Sequence, residues 1–167
     1  MGPAFAAVAA GITALLEVTT ASRYPVAGAQ LQIVLVLAVA VTVVFGFNSG
    51  MAWAFSGGLI ADFLTMRPLG TTVFALLVVV AIADVTVPLL ARARYPGCIG
   101  AAAVLTPVFL IISVVLTGLL RPPAPSIGLG SLIVSAIVNT GAAAVLSPLV
   151  IGIKRRAEQR ERVVWWR

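Results

Sequence analysis

The chain has 167 residues, of which 61% are hydrophobic and 10% charged, with a mean hydropathy of +1.15. A soluble domain carries about a quarter charged residues, so this composition cannot cover itself with polar surface and points to an integral membrane protein. One cysteine (Cys98) and no histidine exclude an intrachain disulfide, a zinc or haem site built on histidine, and histidine-based catalysis. The net charge of +6 is concentrated at one end, six of the eleven basic residues lying in the last fourteen positions, which reads as membrane topology and not as nucleic-acid binding.

A helix that crosses the bilayer needs about 20 mostly apolar residues, and six stretches qualify: 3–22, 29–46, 50–66, 69–91, 98–120 and 128–152. The breaks between them, "SRYPVAG", "GFNSG", "RPLG", "RARYPG" and "RPPAPS", are rich in Gly, Pro or Arg, as helix ends should be. The first stretch lacks the basic start of a signal peptide, since no Lys or Arg precedes Arg23, and Met1 to Ser22 reads as a retained helix. It carries Ala6, Ala10 and Ala14 at four-residue spacing, and Glu17 near its outer end, where a carboxylate reaches interfacial water.

In the third stretch Gly50, Ala54, Gly58 and Asp62 recur every four residues, with Gly57 and Ala61 alongside. Small faces of this kind let two helix backbones approach closely, either within one chain or against a partner. The third helix ends near Met66 and the fourth starts near Leu69, so "RPLG" is a tight turn in which Pro68 suits the first turn of the following helix. Asp62, one turn before the end, either accepts from the free N–H groups of the fourth helix or pairs with Arg67. Both roles hold the hairpin's geometry and neither is catalytic.

Asp84 in the fourth stretch is followed four residues later by Pro88, which leaves the Asp84 carbonyl without its usual helical donor. Such a polar spot in hydrocarbon marks an ion or proton path, or an interhelical hydrogen bond, here to Thr106 on the fifth helix. Pro107 and Pro148 add possible kinks to the last two helices. No internal repeat and no soluble domain are visible, so the organisation expected is a six-helix transmembrane domain over 1–153 and a basic tail over 154–167.

With six helices, both termini share a side with the second and fourth loops. That side holds eight basic residues (Arg92, Arg94, Lys154, Arg155, Arg156, Arg160, Arg162 and Arg167) against three on the other (Arg23, Arg67 and Arg121), which places both termini in the cytoplasm. Two readings of the tail "KRRAEQRERVVWWR" stay open: an ordinary positive flank, or an extension of the sixth helix whose Val163, Val164, Trp165 and Trp166 fold back onto anionic headgroups.

The order of "SGMAWAFSGGLIADFL" followed by "RPLGTTVFALLVVVAIAD" resembles the MreD family of bacterial rod shape-determining membrane proteins. That family shows a glycine-rich helix ending in G-L-x-x-D, a short turn, then a Leu-Gly pair opening the next helix. The matching positions are Gly58, Leu59 and Asp62, then Pro68, Leu69 and Gly70. The resemblance implies an all-α fold similar to the six-helix substrate-binding subunits of energy-coupling-factor transporters. It also implies a non-enzymatic scaffold in the bacterial cytoplasmic (inner) membrane, without cofactor or metal. Its implied partners are an MreC-like protein, a RodA-type glycosyltransferase and a class B penicillin-binding transpeptidase of peptidoglycan synthesis, the MreB filament indirectly, and membrane lipids. The interface expected for packing or a partner is Gly50, Ala54, Gly57, Gly58, Asp62, Arg67, Pro68 and Gly70.

The competing reading is a transporter subunit that binds a small vitamin-type solute, with Ala6, Ala10 and Ala14 as its coupling face. The outer loops offer such a solute only Arg23, Tyr24, Arg121 and Ser126, and a ligand pocket needs a few well-placed polar groups. A third reading, ion or proton conduction through Asp84, lacks a second buried acid or a lysine to complete a relay.

Overall fold

The computed structural model describes residues 2–21, 31–90, 94–120 and 128–164. They form α1 (Pro3–Ala21), α2 (Ile33–Phe45), α3 (Phe47–Leu64), α4 (Thr71–Leu90), α5 (Arg94–Leu120) and α6 (Leu129–Val164), and no strand is present among the described residues. The sequence of α2, "IVLVLAVAVTVVF", has one threonine and otherwise only apolar residues, so no face of it suits water. A helix that is apolar all round belongs inside, and α2 accordingly meets each of the other helices. Around it the helices run as an open arc in the order α1, α3, α4, α5, α6, each packed on its neighbour in that order. Leu35, Val39 and Val36 of α2 are almost fully enclosed by this arc.

Being 13 residues long and rich in β-branched valine, α2 has little helical stability of its own. Isolated helices below about 12–15 residues are marginal even when rich in alanine, and valine loses rotamer freedom in a helix. Its persistence is therefore a tertiary effect, and its ends need partners.

The break between α2 and α3 is tighter than "GFNSG" suggests. Gly46 alone separates them, with φ 93°, a backbone conformation that glycine adopts without the usual side-chain clash. Phe47 to Gly50, expected in the loop, open α3 instead. The two helices then run antiparallel, Gly50 lying against Thr42 and Gly57 against Val34.

The small residues of α3 serve this packing. A Cβ at Gly57 would stand 2.9 Å from Val34 Cγ1 and 3.3 Å from Ala10 Cβ, and one at Gly58 would stand 2.8 Å from Val73 Cα and 2.9 Å from Val73 N. Ala6, Ala10, Ala14 and Ala54 are all fully buried, and α1 packs most extensively against α3. The faces read as candidate contact surfaces are thus filled by helices of the same chain.

Two boundaries differ at the other end of the chain. α5 begins at Arg94, four residues earlier than expected, because Pro96 falls within its first turn, where a missing N–H costs nothing. α6 runs on through the basic segment to Val164, so 153/154 is not a helix end. Lys, Arg, Ala, Glu and Gln are good helix formers, and "KRRAEQRER" is built almost wholly of them. Trp165 and Trp166, and the turns "SRYPVAG" and "RPPAPS" with Arg23, Tyr24, Arg121 and Ser126, lie outside the described residues.

Of the six expected spans, two match helices long and apolar enough to cross a membrane: Tyr95–Leu120 with 26 residues and Leu129–Arg156 with 28. The apolar stretches Pro3–Thr19, Ile33–Phe45 and Thr71–Thr86 are shorter. At 1.5 Å per residue α2 covers only about 20 Å, against a hydrocarbon layer of about 30 Å.

The contact at Gly58 yields a direct test. Gly58→Ala should destabilise the fold by roughly 1–3 kcal/mol through overpacking, because the obstacle is backbone and cannot rotate away. Gly141→Ala on α6, where a Cβ would meet nothing within 4 Å, should be neutral or slightly stabilising. Thermal unfolding of both variants in one detergent makes the comparison, and equal midpoints would remove the close approach of α3 to α4.

Candidate functional site

Three charged side chains, Glu17, Asp62 and Lys154, each meet the open end of a neighbouring helix. α3 closes in a Schellman arrangement: the Arg67 N–H donates to the Asp62 carbonyl (3.1 Å) and the Met66 N–H to the Phe63 carbonyl (3.4 Å). Met66 takes the left-handed position of this motif with φ 54°, a place usually held by glycine and strained for a residue with a side chain. Its side chain is 85% exposed.

The chain then turns through Pro68 and Leu69 into Gly70, whose φ is 99°. Gly70 stands where an N-cap side chain would serve α4, and it has none to offer. Asp62 supplies the missing acceptor from the end of α3. Its Oδ2 accepts from the Gly70 N–H (2.9 Å), and both of its oxygens accept from the Thr72 N–H (3.0 and 3.1 Å). The Thr71 hydroxyl lies 3.1 Å from Oδ1. The side chain of Asp62 is fully buried, so these donors and the positive end of the α4 dipole take the place of water. Of the two roles expected for Asp62, acceptance from α4 is the one observed. Arg67 is exposed.

Glu17 has a role the sequence does not announce: it is half-buried, and its Oε2 accepts from the Val34 N–H at 2.6 Å. It therefore caps the N-terminus of α2. Asn139, fully buried on α6, completes that end by accepting from the Gln32 N–H at 2.9 Å. The Trp53 indole of α3 donates to the Val34 carbonyl (3.2 Å).

The opposite end of α2 is met by Lys154, the chain's single lysine, whose Nζ donates to the Val44 carbonyl at 2.5 Å. A cation at a helix C-terminus satisfies an open carbonyl and complements the dipole. Sequence reasoning assigned Lys154 to the basic tail. The one signal that sets it apart is its identity: a lysine at the head of an arginine-rich run.

The remaining candidates divide clearly. Gly50, Ala54, Gly57, Gly58 and Asp62 come together on the buried side of α3, and Arg67, Pro68 and Gly70 form its turn into α4. Asp84 is half-buried on α4 and is not among them. The Thr106 hydroxyl donates to the Ala102 carbonyl of its own helix (2.7 Å), so the proposed bond between Asp84 and Thr106 is not formed. No group of three potential metal ligands occurs among the described residues. Chemically the arrangement satisfies helix termini with side chains of opposite charge.

Removing a cap should cost stability in proportion to what it leaves unpaired. Asp62→Ala strands the Gly70 and Thr72 N–H groups in a buried turn and should lose roughly 2–3 kcal/mol. Lys154→Met should lose about 1 kcal/mol, whereas Arg155→Gln on the exposed side should stay within about 0.5 kcal/mol of wild type. Denaturation followed by circular dichroism ranks the three, and a harmless Asp62→Ala would refute the capping role.

Protein-family models, curated proteins and solved structures were all compared with this chain, and none matches.

Proposed function

We propose that this chain is a six-span protein of the bacterial cytoplasmic membrane, with both termini cytoplasmic. In this reading it is an MreD-like, non-enzymatic scaffold of the cell-wall elongation machinery. The observation that carries the membrane reading is the inverted distribution of side chains. Phe5, Ile12, Phe55, Phe63, Val85, Ile133, Ile137 and Leu149 are exposed, while Asp62, Thr106, Asn139 and Ser147 are fully buried. In water this would leave a large continuous apolar surface; in lipid it is the expected exterior. Ser147, like Thr106, donates to a carbonyl of its own helix, which pairs its hydroxyl hydrogen inside an apolar interior.

The scaffold reading draws on the hairpin at Asp62 and on the structural use of the interior charges. Because the small-residue face of α3 is filled internally, a partner helix has to meet the opposite side. There Phe55, Leu59 and Phe63 form an exposed ridge leading to Met66 and Leu69 at the tip of the turn. An MreC-like single helix lies along that ridge, and the RodA-type glycosyltransferase and its transpeptidase are reached directly or through it.

A solute-binding reading is favoured by one observation: Gln32 Oε1, beside the bond to Asn139, is buried without a hydrogen-bond partner in the protein. A single amide oxygen is less than a pocket requires, and the alanine face of α1 that would serve transporter coupling is packed against α3.

Alkaline carbonate extraction of membranes tests the first part: the chain should remain in the pellet, and release to the supernatant would overturn the membrane reading. For the second, the chain is purified in mild detergent from cells that also express an MreC-like protein. Wild type should retain that protein, and Phe55→Ala with Phe63→Ala should lose most of it without a change in melting temperature. Retention of a transporter's membrane subunit and ATPases instead would sink the scaffold reading.

A further inference from the structure

The cytoplasmic half of α6 separates its charges by side. Ile133, Ile137, Val145, Leu149 and Ile153 form an exposed apolar stripe, and Asn139, Ala143, Ser147 and Val150 form the buried one. The helix continues without interruption to Val164, so the same register can be carried past the apolar segment. At about 100° per residue, positions 155, 156, 160 and 162 fall within about 160° of arc, on the side of Ile137, Val145 and Leu149. Positions 158 and 161 fall on the other side, with Asn139, Ser147 and Lys154. All four positions on the first side are arginine, and both on the second are glutamate.

This separation does not follow from a positive flank alone, which requires only an excess of basic residues. Lys154 fixes the level of the bundle's end, since it is held at the Val44 carbonyl where α2 stops. Arg155 and Arg156, the next residues, are exposed. The arginine side therefore begins where the apolar stripe ends and continues it in the same direction.

We propose that Arg155, Arg156, Arg160 and Arg162 form a binding surface for the headgroups of anionic phospholipids, rooted where the lipid-facing stripe of α6 meets the membrane surface. The proposal rests on the membrane reading given above. A guanidinium offers paired donors to phosphate oxygens, and basic residues next to a span gain from an anionic leaflet. By the helical register, positions 158 and 161 are not on the face that continues the apolar stripe.

The test is native mass spectrometry of the full chain in detergent, titrated with equal amounts of phosphatidylglycerol and phosphatidylcholine. Wild type should retain phosphatidylglycerol at about tenfold preference. Replacing the four arginines by glutamine should bring the ratio close to parity, while replacement by lysine should restore most of it. Glu158→Gln with Glu161→Gln should leave the preference intact. An unchanged melting temperature establishes that each variant is folded. Equal retention of the two lipids by wild type, or an undiminished preference in the glutamine variant, would overturn the proposal. So would a glutamine variant that keeps its lipids and instead loses an acidic protein from membrane pull-downs. Failure of the membrane reading itself is distinct, since it would appear as release by carbonate before any lipid is added.

Discussion

The fold depends on burying one short apolar helix, α2, and on capping both of its ends with side chains of its neighbours. An α-helix leaves its first N–H groups and last carbonyls unpaired, and each such group stranded in an apolar interior costs about 1–3 kcal/mol. α2 packs on each of the five other helices, so its ends lie beside protein groups that can meet that need. Side chains from two of its neighbours meet it: Glu17 from α1 and Asn139 from α6 at its start, and Lys154 from α6 at its end. Because α6 touches both ends, the positions of Asn139 and Lys154 along it fix the length of α2 that the bundle accommodates. The two helices must also run parallel.

The same logic explains where the glycines fall. α3 passes between α1, α2 and α4 with little room, and Gly57 and Gly58 stand where a side chain would strike Val34 and the backbone at Val73. Close approach there brings Asp62 within reach of the α4 N-terminus. Caps and glycines thus form one system: the glycines set the separation at which the acid can cap, and the cap holds the turn that keeps α3 against α4.

Much of this was legible in the sequence, and the remainder shows what periodicity cannot carry. Six apolar stretches separated by turn residues gave six helices, and the spacing of Asp62 from Pro68 and Gly70 was short enough for a local cap to be recognised. Glu17 and Lys154 act on residues 17 and 110 positions away, and no local pattern announces such a pairing. Gly46 was read as one residue of a five-residue loop because "GFNSG" has loop composition, yet its positive φ turns the chain in a single step. The end of α6 was placed at the change from apolar to charged residues. That change marks where the surroundings alter, whereas helical propensity continues across it.

The direction of the caps ties the fold to the proposed topology. In that topology α2 and α4 both run from the outer side inward, so their N-termini require negative charge outside and the C-terminus of α2 requires positive charge within. Glu17 and Asp62 stand at the first, Lys154 at the second. The bias of cytoplasmic basic residues used to orient membrane proteins has the same sign. Reversing the orientation would leave the caps intact but would carry Lys154 and the arginines after it across the membrane. In that topology the residue that meets the end of the central helix is also the first residue of the basic segment on the cytoplasmic side.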